Sequence, residues 1–225
     1  MSGGRSAPAP AGRLVSLNVG GARDVAWEGK TVRTAIWKEP VAGPRMARRI
    51  NIDGDDQADR NAHGGPDRAV YAYAAEDTDW WEAEIGRQLG PGTFGENLTL
   101  RGIDVTGARV GERWQIGTVV LEVTAPRIPC WKLAKKMDDP MFIKRFTQAR
   151  RPGAYLRIIE EGELGAGDEV EIVHRPDHDV TLALFVEAYE HDRSQLHRLL
   201  DAGEALPGYW SEWIEEQLER YSSTK

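Results

Sequence analysis

The residue best equipped for chemistry in this 225-residue chain is its one cysteine, Cys130, in the run from Ala125 to Lys132. Arg127 precedes it and Lys132, Lys135 and Lys136 follow it. Cations near a thiol favour the thiolate, the form that attacks electrophiles and ligates metals. A lone cysteine is equally at home as a small buried apolar side chain, and the run by itself leaves both readings open. Charge is spread unevenly along the chain. From Arg127 to Arg151, eight basic residues stand against two acidic ones, a local excess of six positive charges. Such a segment suits either a small anionic ligand or a solvated helical face. From Pro176 to Lys225 the sign reverses, with four basic residues against eleven acidic ones.

Two further stretches carry polar groups on glycine-rich backbone. Gly54 to Ala69 is too polar for a core strand, so it reads as a structured loop whose Gly64 and Gly65 allow close backbone approach while His63, Asp67 and Arg68 offer donors and charge. A loop of that length is either a polar connection or a binding element. In Gly92 to Leu100, Asn97 both donates and accepts and Thr93 adds a hydroxyl, a set that suits the edge of a heterocycle; a turn with a bulge is the structural alternative. The chain has no strand-borne Gly-x-Gly-x-x-Gly, no phosphate-binding Gly-x-x-x-x-Gly-Lys-Ser/Thr loop and no His-Glu-x-x-His. It also shows no Ser/His/Asp triad, and a Cys130–His63 nucleophile pair cannot be judged from sequence separation.

The elements that must position these residues are mostly short strands. Nine β-branched segments bounded by Gly, Pro and Asp read as strands: 13–19, 31–37, 48–52, 69–73, 96–100, 112–116, 118–124, 154–160 and 169–174. Scarce intervening helices favour an antiparallel or mixed barrel over a doubly wound sheet. Gly117 marks a hairpin over 115–122. One helix is expected after a cap at Asp77 or Thr78, running toward Gly86 with Trp80, Trp81 and Ile85. A second follows Asp139 with Pro140 at its first position and carries Phe142, Ile143 and Phe146. Beyond about residue 177, three short amphipathic helices are expected at 181–189, 192–201 and 211–221, unstable alone and so packed on the barrel or on a partner. The domain plan is a disordered leader over 1–11, a barrel over 12–176 and a helical subdomain over 177–225.

Composition removes several classes. A hydrophobic content of 40%, a charged content of 29% and a net charge of −7 are those of a globular chain. The acidity disfavours a nucleic-acid polymer as partner, no apolar run has membrane-span length, and residues 1–12 lack a signal-peptide core; a cytoplasmic location is expected. One cysteine excludes an internal disulfide framework and an all-cysteine metal or iron–sulfur site within this chain.

Three stretches taken together, Gln57 to Val70, Thr93 to Leu98 and Pro126 to Leu133, resemble the MOSC family, named for the C-terminal domain of molybdenum cofactor sulfurase. Trp37 to Val41 with Gly43 and Pro44, and the three-helix tail, resemble its YiiM-like subgroup. The resemblance implies a β-barrel that binds a pyranopterin molybdenum cofactor, followed by a small three-helix bundle. It implies Cys130 as the protein ligand to molybdenum, a soft thiolate being apt for such a metal. It further implies that His63, Gly64 and Gly65 shape the pocket, that Thr93, Gly95, Glu96 and Asn97 face the pterin, and that Arg127 and Lys132 hold its phosphate, with Lys38 and Arg68 as additional contacts. Trp131 departs from the family pattern, where a smaller or tyrosine-like aromatic is expected. The activity implied is reduction of N-hydroxylated compounds, such as N-hydroxylated purines, to amines, with His63 or Glu96 as proton donor. Electrons would come from a separate flavin or iron–sulfur protein, docking on the acidic tail, and a homodimer is admitted. The alternative implied by the same residues is a non-enzymatic carrier of the cofactor or of its sulfur. A barrel that binds small ligands or RNA without metal is a third reading.

Overall fold

The computed structural model describes residues 11–58 and 64–222. Its elements in chain order are β1 (Gly12–Val19), β2 (Arg23–Trp27), β3 (Lys30–Thr34), β4 (Glu39–Pro40), β5 (Arg45–Arg48), β6 (Asn51–Ile52), β7 (Val70–Ala74) and α1 (Ala75–Ile85). There follow β8 (Leu98–Arg101), β9 (Arg113–Ile116), β10 (Val119–Pro126), α2 (Trp131–Met137), α3 (Phe142–Ala149), β11 (Ala154–Glu160), β12 (Gly162–Leu164), β13 (Glu169–His174), α4 (Leu182–Val186) and α5 (Gly208–Ser222).

Among the described residues, seven strands close into a barrel in the order β13-β9-β10-β11-β7-β8-β1, with Gly12 opposite Val170 and Arg13 opposite Glu169 completing the circuit. Every pairing in it is antiparallel except β7 with β8, where α1 supplies the crossover that parallel strands require. The hairpin expected over 115–122 is β9–β10, with Val119 opposite Ile116 and Gly117 taking φ +60 at the turn. In β1 the register slips between Leu14 and Ser16, so Val15 bulges outward, 40% exposed, and Ser16, Leu17 and Asn18 are all buried. That bulge brings polar side chains into the wall on which the site is built.

Two of the nine expected strands lie outside the barrel. The segment 31–37 forms a strand only through Thr34 and pairs with β2 in a separate two-stranded ribbon. The segment 48–52 turns at Arg49 (φ +55) into the β5–β6 hairpin, which β12 extends. Mostly exposed side chains line β2 and β3, whereas Ala47, Ile52 and Leu164 of the other ribbon are buried and pack onto the barrel core from outside its hydrogen-bonded circuit.

β7 is buried on both faces. Val70, Ala72 and Ala74 point into the barrel core, and the alternate Tyr71 and Tyr73 join a second cluster with Trp81, Phe94, Leu133, Met137, Phe142 and Phe146. In that cluster Trp81 donates its indole N–H to the Tyr73 hydroxyl at 3.0 Å. Leu133, Ala134 and Met137 come from α2, so the apolar side of this short helix anchors the segment that carries Cys130.

Helix starts differ from expectation. α1 begins directly at the end of β7, with Ala74 in the cap position. The strand runs straight into the helix and leaves no loop for a cap, so Asp77 instead pairs with Arg151 and Thr78 hydrogen-bonds back to the Ala74 carbonyl. Asp139 does receive the Met141 N–H at 2.8 Å, but Pro140 lies in the turn that precedes α3. α2 was not foreseen, being too short for an apolar period to emerge.

The expected leader lies outside the described residues except for Ala11, whose N–H donates to the Val170 carbonyl at 2.8 Å. The tail continues α4 into a π-type turn (Glu187–His191), then a 3₁₀ segment (Arg193–Ala205) broken at Gly203, then α5. Its Phe185, Leu196, Leu199, Trp210 and Ile214 belong to the same apolar core as the barrel strands. No helix among the described residues is long and apolar enough to cross a membrane.

Candidate functional site

A pocket of about 640 Å³, its open mouth included, lies where the chain after β3 (Thr34 to Lys38), residues 55–58, the start of β7, residues 95–97 and the end of β10 converge. Lys38, Arg68, Arg127 and Lys132 line it against two carboxylates, Asp55 and Asp56, with Tyr71, Asn97, Cys130 and Tyr155 between them. The excess of cations favours an anionic occupant.

Cys130 carries a half-buried thiol, in no disulfide, on extended backbone immediately before α2, and its carbonyl accepts the Leu133 N–H at 2.9 Å. Arg127 is buried beside it, with its guanidinium 5.0 Å from the Tyr71 ring centre and a hydrogen bond to the Phe94 carbonyl. Burial works to lower the Arg127 pKa, but Tyr71, Tyr155 and Cys130 outweigh it and hold the group above its ordinary value. Tyr71 is itself pushed up by burial, and its hydroxyl donates to the Pro152 carbonyl at 2.8 Å. Arg127 therefore presents its charge beside the Tyr71 ring. Lys132 is buried in the first turn of α2.

The opposite wall is a polar knot. Lys38 forms an ion pair with Asp55, their side chains 9% and 2% exposed. Asp55 also accepts the Gly20 N–H at 2.8 Å and the Asn97 amide at 2.9 Å. Burial lowers the Lys38 pKa while Asp55 opposes the shift. Asn97 accepts the Tyr71 N–H at 3.1 Å and donates to the Asn18 carbonyl at 3.2 Å. Asn97 thus lines the pocket while its amide crosslinks the strands of the wall.

Glu96 stands behind that wall and outside the pocket lining. Its carboxylate accepts the N–H groups of Gly92 (2.6 Å) and Phe94 (3.0 Å) and the Thr99 hydroxyl (3.0 Å). Burial raises its pKa, and these hydrogen bonds pull the other way. Lys136, which sequence alone treated only as part of a cationic run, donates to the Gly92 and Ile36 carbonyls on the far side. Burial lowers its pKa to about 8. Glu96 as a proton donor facing the substrate is therefore corrected to a group that ties a turn.

Thr93 likewise turns away, its hydroxyl donating to the Gly90 carbonyl at 2.6 Å. Gly95 does line the pocket, at φ +78, and a Cβ there would fall 2.8 Å from the Ile36 side chain. Gly64 and Gly65 do not line it. Gly65, at φ +90, gives its N–H to Gln57 and leads into the 3₁₀ turn Pro66–Arg68 that presents Arg68. His63 lies outside the described residues. Trp131 points away from the lining and stacks on Trp27 of β2, ring centres 4.6 Å apart, which fastens the outer ribbon next to Cys130.

Of the expected residues, the fold therefore brings Lys38, Arg68, Gly95, Asn97, Arg127, Cys130 and Lys132 to one pocket. Sequence reasoning missed Asp55, Tyr71 and Tyr155. Asp55 sits in a polar run with nothing to single it out, and the two tyrosines read as ordinary strand residues. For Tyr71 the signal was present in the strict alternation of Val70, Tyr71, Ala72, Tyr73 and Ala74.

Residues 59–171 match the family model described as the MOSC domain. YflK of Bacillus subtilis (strain 168) is 35% identical over 183 residues, covering 81% of this chain and 83% of that protein. A protein named reductase from Gibberella moniliformis (strain M3125 / FGSC 7600) is 31% identical over 176 residues, covering 76% of this chain and 31% of that longer protein. Among solved structures, YiiM from Geobacillus stearothermophilus superposes with a TM-score of 0.77 at 30% identity, covering 92% of this chain and 99% of that one.

Proposed function

This chain belongs to the MOSC domain family, which is associated with molybdenum cofactor binding, and from that premise we propose that it is a molybdenum-dependent reductase of N-hydroxylated compounds. The observation that carries the reading is the convergence of Cys130 with Arg68, Arg127 and Lys132 on one pocket. A soft thiol beside several cations is the donor set that a phosphate-bearing, thiolate-ligated molybdenum cofactor requires. The likeness to a protein named reductase supports the reaction class.

In this reading Cys130 is the protein ligand to the metal. Arg127, kept charged by its neighbours, grips the phosphate with paired donors, while Lys132 acts as a point charge. The cofactor, when bound, supplies the two-electron redox chemistry. The overall step breaks the N–O bond of R–NH–OH, consumes two electrons and two protons, and releases R–NH2 and water. The chain's own contribution is to orient the substrate against the Tyr71 and Tyr155 wall, to exclude bulk water and to deliver protons. Of the expected donors, His63 retains that assignment. The electrons come from a separate flavin or iron–sulfur protein.

Elemental analysis of the purified chain, followed by turnover of an N-hydroxylated purine with a chemical reductant, tests the proposal. Stoichiometric molybdenum with turnover is expected in the wild type, and loss of the metal is expected in Cys130→Ser with thermal stability within about 1 kcal/mol of the metal-free wild type, since a half-buried thiol and hydroxyl are close in size. Metal that survives the substitution would remove Cys130 as the ligand. Metal-loaded protein without turnover would exclude the reductase.

A further inference from the structure

Arg68 and the helical tail meet at one pair of side chains. Arg68 lines the pocket, and its Nε donates to the Tyr209 hydroxyl at 3.0 Å. The guanidinium carbon lies 4.5 Å from the Tyr209 ring centre and 5.8 Å from that of Tyr155. Tyr209 is the second residue of α5, beyond the residues 59–171 that match the domain family. It is followed by the buried Trp210, which packs edge-on against Phe185 and Tyr189. The barrel holds the same turn from the other side. Arg157 grips the Asp67 carboxylate at 2.6 Å, and the Thr124 hydroxyl donates to the Asp67 carbonyl at 2.7 Å.

We propose that Tyr209 is a positioning residue, through which the C-terminal helix holds the Arg68 guanidinium in place to receive an anionic group in the pocket. A long arginine side chain loses rotamer freedom when it binds an anion, and a stack plus a hydrogen bond made beforehand removes part of that cost from the binding step. The site is then incomplete without the tail, although the tail lies outside the matched domain. The identity of the anion as the cofactor's phosphate rests on the reductase reading; the role of Tyr209 does not.

The test titrates inorganic phosphate into the full chain by calorimetry, with thermal unfolding as a control. Arg68→Ala and Tyr209→Ala should each weaken phosphate binding, about tenfold for loss of a charge-assisted contact. The double variant should be no weaker than Arg68→Ala alone, and Tyr209→Phe, which keeps the stack, should fall between wild type and Tyr209→Ala. Wild-type affinity in Tyr209→Ala, additive losses in the double variant, or absence of phosphate binding in the wild type would each overturn the inference. Should Tyr209→Ala fail to fold, Tyr209→Phe and Tyr209→Leu carry the same cycle. Molybdenum analysis of the same preparations separates the two proposals: metal-free wild type with the expected phosphate cycle removes the cofactor reading alone, and metal-loaded wild type with an indifferent Tyr209 removes this inference alone.

Discussion

Asp55 and Glu96 are both buried carboxylates near the pocket, and their partners give them different work. Asp55 lines the pocket and neutralises Lys38 while tying Gly20 and Asn97 to the same wall. Glu96 sits one layer back and closes the turn at Gly92 and Phe94. Glu96→Gln keeps the shape but sets an amide donor against a backbone donor, so the unfolding free energy in urea should fall by about 2 to 3 kcal/mol. Activity per folded molecule should keep its pH profile; a lost limb would return Glu96 to a proton-transfer role. Lys136 predicts a pH effect on stability. Its pKa of about 8 in the fold lies below the 10.5 of the unfolded chain, so between those values the unfolded state binds more protons and stability rises with pH. The cost of burying its charge is fully present below about pH 8 and is relieved above it. Wild type should therefore gain on Lys136→Met, on the order of 3 kcal/mol, between pH 8 and 10.5 in urea melts; equal slopes would show that Lys136 is not desolvated. None of this was visible in sequence, where Glu96 and Lys136 are two charges forty residues apart in different patterns.

At the scale of elements, the glycine-rich run 92–95 is a close-packing device. Gly92 holds φ +81, and a Cβ there would fall 2.4 Å from the Lys38 carbonyl oxygen. Gly92→Ala should thus cost at least about 3 kcal/mol and displace the chain that carries Lys38. Gly86 provides the control: its φ is +68 but nothing lies within 4 Å of an added Cβ, so Gly86→Ala should cost only about 1 to 2 kcal/mol from the left-handed backbone. Thermal melts of the two variants check the contrast, and equal losses would show that the approach of residues 92 and 38 is not tight. The outer ribbon follows a similar logic. β2 and β3 are fastened beside Cys130 by the Trp27–Trp131 stack, so the aromatic that departs from the family pattern has its partner in a strand, β2, that is not among the nine expected from sequence.

Across the whole molecule, the tail completes the apolar core. Because Phe185, Leu196, Leu199, Trp210 and Ile214 share that core with the barrel strands, truncation after His174 should yield insoluble or unfolded protein, judged by circular dichroism. A folded, soluble truncation would show that the tail is a separable docking module. The sequence by itself determined the β character of the chain, the β9–β10 turn at Gly117, the helical tail and the singular thiol in cationic surroundings. These are local properties, set by period-two alternation, by backbone that only glycine takes easily and by charge density over twenty residues. Through resemblance it also determined the family and most of the pocket's cations. Only the tertiary structure decided that Asp55, Tyr71 and Tyr155 join those residues around one space while Glu96 and Thr93 turn away from it, and that Tyr209 reaches Arg68 across more than a hundred residues of chain. The reason is barrel closure: pairing β1 with β13 and β7 with β8 fixes which strand ends meet, and that register depends on bulges and side-chain packing distributed over the whole chain.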